Sequence, residues 1–166
     1  FNRFLAFYQG KLVAQYDKRH LFSYGGEQNF YQAGNQTCIF EFQGFTLAPF
    51  VCYDLRFPVF VRNVENYDVI LYVANWPKPR INAWDSLLKA RAIENMCYTI
   101  GVNRIGEDAN QLEYPGHSQV IDFLGNNMLN CESDLGVFVC ELDKDQQLAT
   151  RQKLNFLNDK DDFSLV

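Results

Sequence analysis

The stretch "YDVILYVANWPKPRINAWDSLLKARAIENMCYTIGVNR", residues 67–104, decides the fold class. Its first ten residues are almost continuously apolar, which is typical of a strand covered on both faces, and the prolines that follow end it. Residues 81–99 place apolar side chains three and four positions apart, which predicts a helix with Asn82 as its N-cap. Residues 98–104 predict a further strand. The alternation indicates an α/β protein.

The flanking sequence predicts short strands joined by tight turns rather than more helices. These predicted elements are the hairpins 3–8 with 12–16 and 37–42 with 45–53, a short helix over 56–66, a hairpin over 117–130 and a last strand over 136–143. Charged residues dominate the tail from Asp143 to Asp162. Because several connections are hairpins, we expect a mixed α/β layer fold and not a purely doubly wound sheet.

Length and composition narrow the class of protein. The 166 residues suit one domain, and a net charge of −5 with scattered basic residues argues against binding to nucleic acid. No apolar run is long enough to cross a bilayer, and five widely spaced cysteines without a secretory signal predict reduced thiols in the cytoplasm. Two histidines and no CxxC give a structural zinc site poor support. The chain opens without Met, inside a predicted hairpin, so we expect a segment of a longer protein whose N-terminal part is not included.

Cys52, in "FVCYDLRFP" (50–58), ends an apolar strand and is followed by polar residues. Free cysteine is among the most buried residue types, so core packing is one interpretation. The other is a nucleophile at the carboxyl end of a strand, which requires a cation or base beside the thiol. Lys18, in "YDKRHLF", is either a solvated turn residue or such a cation. A Cys–His pair with His20 or His117 is a further, weaker alternative.

Four segments together resemble the nitrilase superfamily of carbon–nitrogen hydrolases. They are "YDKRHLF", "VCYDLRFPVFVRN", "LYVANWPKPR...W..LLKARAIENMCYTIGVNRIG" and "GHSQVIDFLGN", in the order found in that family and covering nearly the whole chain. Among its branches the chain looks most like the ω-amidases. The resemblance implies a mixed-sheet αββα sandwich, of which residues 1–166 would be a partial single domain. It also implies dimers or higher homo-oligomers formed through the helical layer, and part of the sheet left uncovered here.

The resemblance also implies a Glu–Lys–Cys triad. Cys52 matches the nucleophile and Lys18 the lysine, which would stabilise the oxyanion together with the backbone N–H of Tyr53. Glu27 matches a supporting glutamate, although an exposed loop carboxylate is the alternative. The general-base glutamate lies upstream in that family, so no residue of this chain is assigned to it. No metal and no cofactor is expected.

Further residues are expected near the site. Asn75 and Trp76 would line the pocket opposite the nucleophile, and Trp84 would either reach it or belong to the core. Arg56 would meet a substrate carboxylate, or else clamp Asp54 or the next helix. Arg91 and Glu94, three apart on that helix, are expected to pair and brace the nucleophile turn.

The expected function is hydrolysis of the terminal amide of a small, carboxylate-bearing substrate. An α-keto acid monoamide such as 2-oxoglutaramate would yield acid and ammonia through a cysteine thioester. The alternatives are a deaminated-glutathione-type amidase or a carbamoylase of the same superfamily, and a non-catalytic module of the same fold. The expected partner is a small-molecule amide, with no membrane and no nucleic acid.

Overall fold

The computed structural model describes residues 1–164, which form a mixed α/β fold. The strands are β1 (Arg3–Tyr8), β2 (Lys11–Asp17), β3 (Phe40–Phe42), β4 (Phe45–Val51), β5 (Val69–Ala74), β6 (Tyr98–Asn103), β7 (Ile105–Glu107), β8 (Glu113–Pro115), β9 (Gln119–Ile121) and β10 (Asn127–Asn130). The α-helices are α1 (Ile81–Asn95) and α2 (Lys144–Leu154). Short 3-10 turns cover Ser23–Gly25, Glu27–Asn29, Cys52–Arg56, Lys78–Arg80 and Phe156–Asp159. The α/β class is confirmed.

A six-stranded sheet in the order β10-β9-β6-β5-β4-β3 forms the centre of the fold. The β4–β5 and β5–β6 pairs are parallel, and the other pairs in this sheet are antiparallel. The strands β1 and β2 form a separate antiparallel hairpin, as do β7 and β8. The sheet is therefore mixed, as the sequence predicts, and the parallel pairs bring the carboxyl ends of β4 and β5 to one edge.

Helix α1 covers one face of this sheet. Trp84, Leu88 and Ala92 are fully buried there, one or two turns apart. Gly101 in β6 allows the close approach, because a Cβ at this position would lie 2.5 Å from Leu88 Cδ1. On the opposite face Val73 is 37% exposed and Val102 is 52% exposed. The prediction that the run 67–76 is covered on both faces is thus wrong near Val73, where one face of the strand is exposed. The expected uncovered part of the sheet is confirmed.

Several local predictions are also wrong. The N-cap of α1 is Arg80, with no side-chain cap, so Asn82 already lies in the first turn. The predicted helix over 56–66 does not form: residues 58–61 make a single turn, closed by the Val61 N–H on the Phe57 carbonyl oxygen, and the Asn63 side chain closes a second turn through the backbone of Tyr67. Residues 136–143 form no strand in the described structure.

Helix α2 lies in the charged tail and docks through polar contacts. Buried Gln147 donates to the carbonyl oxygens of Asp68 (2.8 Å) and Met96 (3.3 Å). Arg151 donates to the Met96 carbonyl and pairs with the Asp68 carboxylate, which Lys144 also contacts. The helix is thereby fixed at the amino end of β5, away from the carboxyl ends where the candidate site lies. None of the helices formed by residues 1–164 combines the length and apolar character that a membrane crossing requires.

Candidate active site

Cys52 begins the sharp turn that follows β4, and its backbone has a φ of +48°. This left-handed conformation is uncommon for a residue with a side chain, and such strained residues cluster at functional sites. The half-buried thiol lies at the carboxyl end of the sheet, with its Sγ 3.9 Å from the carbonyl oxygen of Asn75, which follows β5. A strained turn at a strand end presents the side chain outward, as a nucleophile requires. Cys52 therefore borders a cleft and is not enclosed in the core.

Lys18 follows β2 and is only 1% exposed. Its Nζ lies 2.7 Å and 2.9 Å from the two carboxylate oxygens of Glu27. Glu27 also accepts a hydrogen bond from the backbone N–H of Phe22 (2.8 Å). A buried ammonium group needs a paired anion, and Glu27 supplies it. Lys18 is therefore a buried cation and not a solvated turn residue. Glu27 is its ion-pair partner and not a free loop carboxylate.

Asp54 joins the segment around Lys18, at the end of β2, to the turn that carries Cys52. Its carboxylate is fully buried and accepts four hydrogen bonds. One oxygen accepts from the Val51 backbone N–H (3.1 Å) and the Tyr16 hydroxyl (2.8 Å), and the other from the backbone N–H and Nδ1 of His20 (both 2.9 Å). A single carboxylate thus sets the position of one element relative to the other.

The environment of Cys52 changes the acidity of its thiol. Burial raises the pKa of Cys52 above its ordinary value of 9.0, while the positive charge of Lys18 lowers it, and the charges of Glu27 and Asp54 add to the rise. With the pKa raised, the thiol keeps its proton at neutral pH. Nucleophilic attack then needs a proton acceptor in addition to Lys18. Among residues 1–164, no carboxylate is hydrogen-bonded to Sγ, so the general base stays unassigned.

A cavity of about 40 Å³ opens beside the thiol. Its walls are formed by eight side chains from three parts of the chain: Phe22, Cys52, Tyr53, Arg56, Asn75, Trp76, Pro77 and Arg80. The structure thus places Tyr53, Asn75, Trp76 and Arg56 around the same cavity as Cys52, as the sequence predicts. The Arg56 guanidinium lies 5.0 Å from the centre of the Trp76 ring and pairs with neither Asp54 nor α1.

Three of the lining residues, Phe22, Pro77 and Arg80, were not expected from the sequence. The Arg80 guanidinium lies 5.4 Å from the centre of the Phe22 ring. The Trp76 indole N–H donates to the Arg80 carbonyl oxygen (2.8 Å), which fixes the backbone of the turn. The one signal in the sequence is that Arg80 belongs to the turn directly after "ANW", at a strand end.

Arg91 braces the nucleophile turn from α1. Its buried guanidinium donates to the carbonyl oxygen of Leu55 (2.6 Å) and to the Glu94 carboxylate (2.9 Å), so the predicted pairing is confirmed. Trp84, in contrast, is fully buried, and its indole N–H donates to the His117 carbonyl oxygen. Trp84 is therefore a core residue and does not line the cavity beside Cys52.

The two histidine rings pair with aspartates. His20 Nδ1 lies 2.9 Å from Asp54, and His117 Nδ1 lies 3.0 Å from Asp85. Neither ring is hydrogen-bonded to Cys52 in the described part of the chain, so the geometry gives no support to a Cys–His pair. No group of three or more His, Cys, Asp or Glu side chains in residues 1–164 is placed to hold a metal ion.

Comparison with known proteins identifies the relatives of the chain. The family model described as carbon-nitrogen hydrolase matches residues 2–152. The chain is 43% identical to the ω-amidase YafV of Yersinia enterocolitica over 99% of its own length and 65% of that protein. It is 32% identical to a 2-oxoglutaramate amidase of Bacillus subtilis, over 94% of its own length and 61% of that protein. The chain thus spans less than two thirds of these curated relatives.

A solved structure shares both sequence and fold with the chain. The protein XC1258 from Xanthomonas campestris is a CN-hydrolase superfamily protein crystallised with an arsenic adduct in its active site. It is 44% identical, with a TM-score of 0.96 over the whole of this chain and 66% of that one. At this identity the agreement extends to the family and is not limited to the fold.

Proposed function

Because the chain belongs to the carbon–nitrogen hydrolase family, we propose that it carries the nucleophile of an amidase of the ω-amidase type. The observation that supports this most directly is the buried Lys18–Glu27 pair, whose ammonium charge acts on the Cys52 thiol at the start of a strained turn. The substrate is a small amide with a carboxylate, such as 2-oxoglutaramate. The similarity to curated ω-amidases and a 2-oxoglutaramate amidase supports this substrate class.

In the proposed reaction the Cys52 thiol loses its proton to a general base as its sulfur attacks the amide carbonyl carbon. Lys18 and the backbone N–H of Tyr53 stabilise the negative oxygen that forms. The C–N bond breaks, the proton passes to the leaving nitrogen, and ammonia departs from a thioester. Water then attacks the thioester, which yields the carboxylic acid and restores the thiol.

The cavity supports a carboxylate-bearing substrate. The Arg56 guanidinium faces the same space as Sγ and has no ion-pair partner among residues 1–164. We assign Arg56 to the substrate carboxylate, and Asn75 and Trp76 to the wall against which the acyl chain lies. Glu27 holds the Lys18 side chain in place.

Ammonia release by the full-length protein tests the proposal. We expect turnover of 2-oxoglutaramate, no turnover by Cys52→Ala, and a loss of about 100- to 1,000-fold in Lys18→Ala, the usual cost of one oxyanion donor. Cys38→Ala, which removes a half-buried thiol outside the cavity, is the matched control and should keep full activity. Activity of Cys52→Ala or Lys18→Ala within tenfold of wild type would overturn the triad.

The same assay separates the alternatives. Ammonia from deaminated glutathione but not from 2-oxoglutaramate would favour the deaminated-glutathione branch. Release from an N-carbamoyl substrate alone would favour a carbamoylase. No release from any of these by the full-length protein would favour a non-catalytic module. A homodimer and a cytoplasmic location stay predictions, of which the first is checked by light scattering in solution.

A further inference from the structure

Arg80 occupies the turn between β5 and α1 and reaches the same cavity as the nucleophile. Its backbone is fixed by the hydrogen bond from the Trp76 indole, and its guanidinium rests against the Phe22 ring. Because eight residues share a cavity of only about 40 Å³, Arg80 and Cys52 both lie within reach of one short substrate. Arg80 has no role so far, either in the proposed triad or in the turn that carries Cys52.

The charges around the cavity are not balanced. Arg56 and Arg80 both line it, and neither takes part in an ion pair formed within residues 1–164. Lys78, in the same turn as Arg80, is paired with Glu113 at 2.8 Å and points to solvent. Two unpaired cations that face one small space repel each other, and an anion placed between them relieves that repulsion.

The aromatic contacts position both guanidinium groups so that they can bind such an anion. A guanidinium that stacks on a ring keeps its N–H donors free at its edges, in the fork geometry that matches a carboxylate. Arg56 stacks on Trp76 and Arg80 on Phe22, so the two forks approach the cavity from separate elements. The Arg56 and Arg80 side chains thus each contact an aromatic ring, and neither forms an ion pair with a carboxylate of residues 1–164.

We propose that Arg80 is a specificity residue, whose guanidinium binds the substrate carboxylate together with Arg56 and so selects anionic amides over neutral ones. The inference rests on the proposed function for the identity of the substrate. The anion site itself is a property of the cavity and can be measured without amide hydrolysis.

The test compares alkylation of Cys52 by iodoacetate, which carries a carboxylate, with alkylation by neutral iodoacetamide. In both reactions the thiolate sulfur forms a bond to carbon as the C–I bond breaks and iodide leaves. Mass spectrometry of the Cys52 peptide separates this thiol from the other four cysteines. A change in the pKa of Cys52 affects both reagents equally, so the ratio of the two rate constants reports the anion preference alone.

We expect Arg80→Gln to lower the iodoacetate-to-iodoacetamide ratio about tenfold, the usual effect of one charge-assisted hydrogen bond. Arg80→Lys keeps the charge but loses the fork and the contact with the ring, so its ratio should lie between those of Arg80→Gln and wild type. Added salt should lower the ratio in wild type. Lys78→Gln is the matched control, since it changes the net charge equally in the same turn, and its ratio should stay within about twofold of wild type.

A ratio in Arg80→Gln within twofold of wild type overturns the proposal, and so does an equal fall in Lys78→Gln. If Arg80→Gln fails to fold, the decision falls to Arg80→Lys and the salt dependence: a ratio in Arg80→Lys equal to that of wild type, or a salt-independent ratio in wild type, overturns it. A lowered ratio in a protein that releases no ammonia supports the anion site and rejects the amidase. If ammonia is released, the KM for 2-oxoglutaramate should rise about tenfold in Arg80→Gln, with little change for pentanamide.

Discussion

Replacing Asp54 by asparagine tests whether one buried carboxylate holds the segment around Lys18 and the turn at Cys52 together in the candidate active site. The substitution conserves size and shape, so it removes one acceptor oxygen and the charge without opening a cavity. Each carboxylate oxygen accepts one backbone N–H, from Val51 or from His20, and one side-chain donor, from Tyr16 or from the His20 ring. Every one of these bonds is affected by the change.

The magnitude follows from counting donors. In either orientation of the asparagine amide, its NH₂ group replaces one oxygen and faces a backbone N–H, which cannot become an acceptor. The Tyr16 hydroxyl already accepts from the Arg19 backbone N–H (3.1 Å), so it is poorly placed to accept the new donor as well. A buried unsatisfied donor costs about 1–3 kcal/mol, and a lost bond to a charged group about 1.5–3 kcal/mol. We therefore expect Asp54→Asn to lower the free energy of unfolding by about 2–4 kcal/mol.

Urea unfolding followed by circular dichroism measures this difference at pH 7. Asp122→Asn is the matched control, because Asp122 also accepts two backbone N–H groups, from Leu124 and Asn126, but at the exposed turn of a hairpin. Its asparagine keeps one oxygen for both donors, so the loss should be below about 1 kcal/mol. A loss in Asp54→Asn no larger than in Asp122→Asn would refute the argument that Asp54 joins the two elements.

Two further predictions concern the cysteines. Because the charge of Lys18 lowers the pKa of Cys52, Lys18→Met should move the inflection of iodoacetamide alkylation at Cys52 to higher pH, and an unmoved or lower inflection would contradict this. Burial raises the pKa of Cys97 from its ordinary 9.0 to about 12, so the native state retains this proton longer than the unfolded state. This difference stabilises the native state fully below pH 9, and the free energy of unfolding falls by about 4 kcal/mol as pH rises from 9 towards 12. Cys97→Ala should remove this part of the decline, which urea unfolding at alkaline pH measures.

The fold could be predicted wherever a single periodicity dominated the sequence. The hairpin of β1 with β2, the pair β3 and β4, and the helix after "PKP" all follow from local patterns. Helix α2 could not be predicted in this way, since its docking depends on Gln147 and Arg151 reaching carbonyl oxygens at Asp68 and Met96. A polar helix of this kind carries no apolar stripe that a periodicity could detect.

The apolar run 135–140 shows the opposite error. Its composition favours a strand, but a strand forms only where a partner edge supplies hydrogen bonds. In the described structure this run pairs with no strand, and Leu135, Val137 and Val139 are about nine-tenths exposed. Composition indicated the propensity and could not indicate the pairing.

The site shows the same division between local pattern and long-range contact. The resemblance to the family indicated Cys52 and Lys18, and Asn75 and Trp76 were expected near the site because they end the apolar run "LYVANW". The contacts of Asp54 and the approach of Arg80 to Cys52 link residues far apart in the chain, so no spacing rule reveals them. Sequence therefore indicated the chemistry, whereas the residues that position it required the structure.

The strain at Cys52 explains why these positioning residues are needed. A left-handed φ on a residue with a side chain costs about 1–3 kcal/mol and persists only where the surroundings determine it on both sides. Before Cys52, the backbone N–H of Val51 is held by Asp54, and after it the carbonyl oxygen of Leu55 is held by Arg91. Both anchors are buried, so neither can relax into solvent. Cys52 is thus a strained residue between two fixed ends, which keeps its thiol turned towards the cavity.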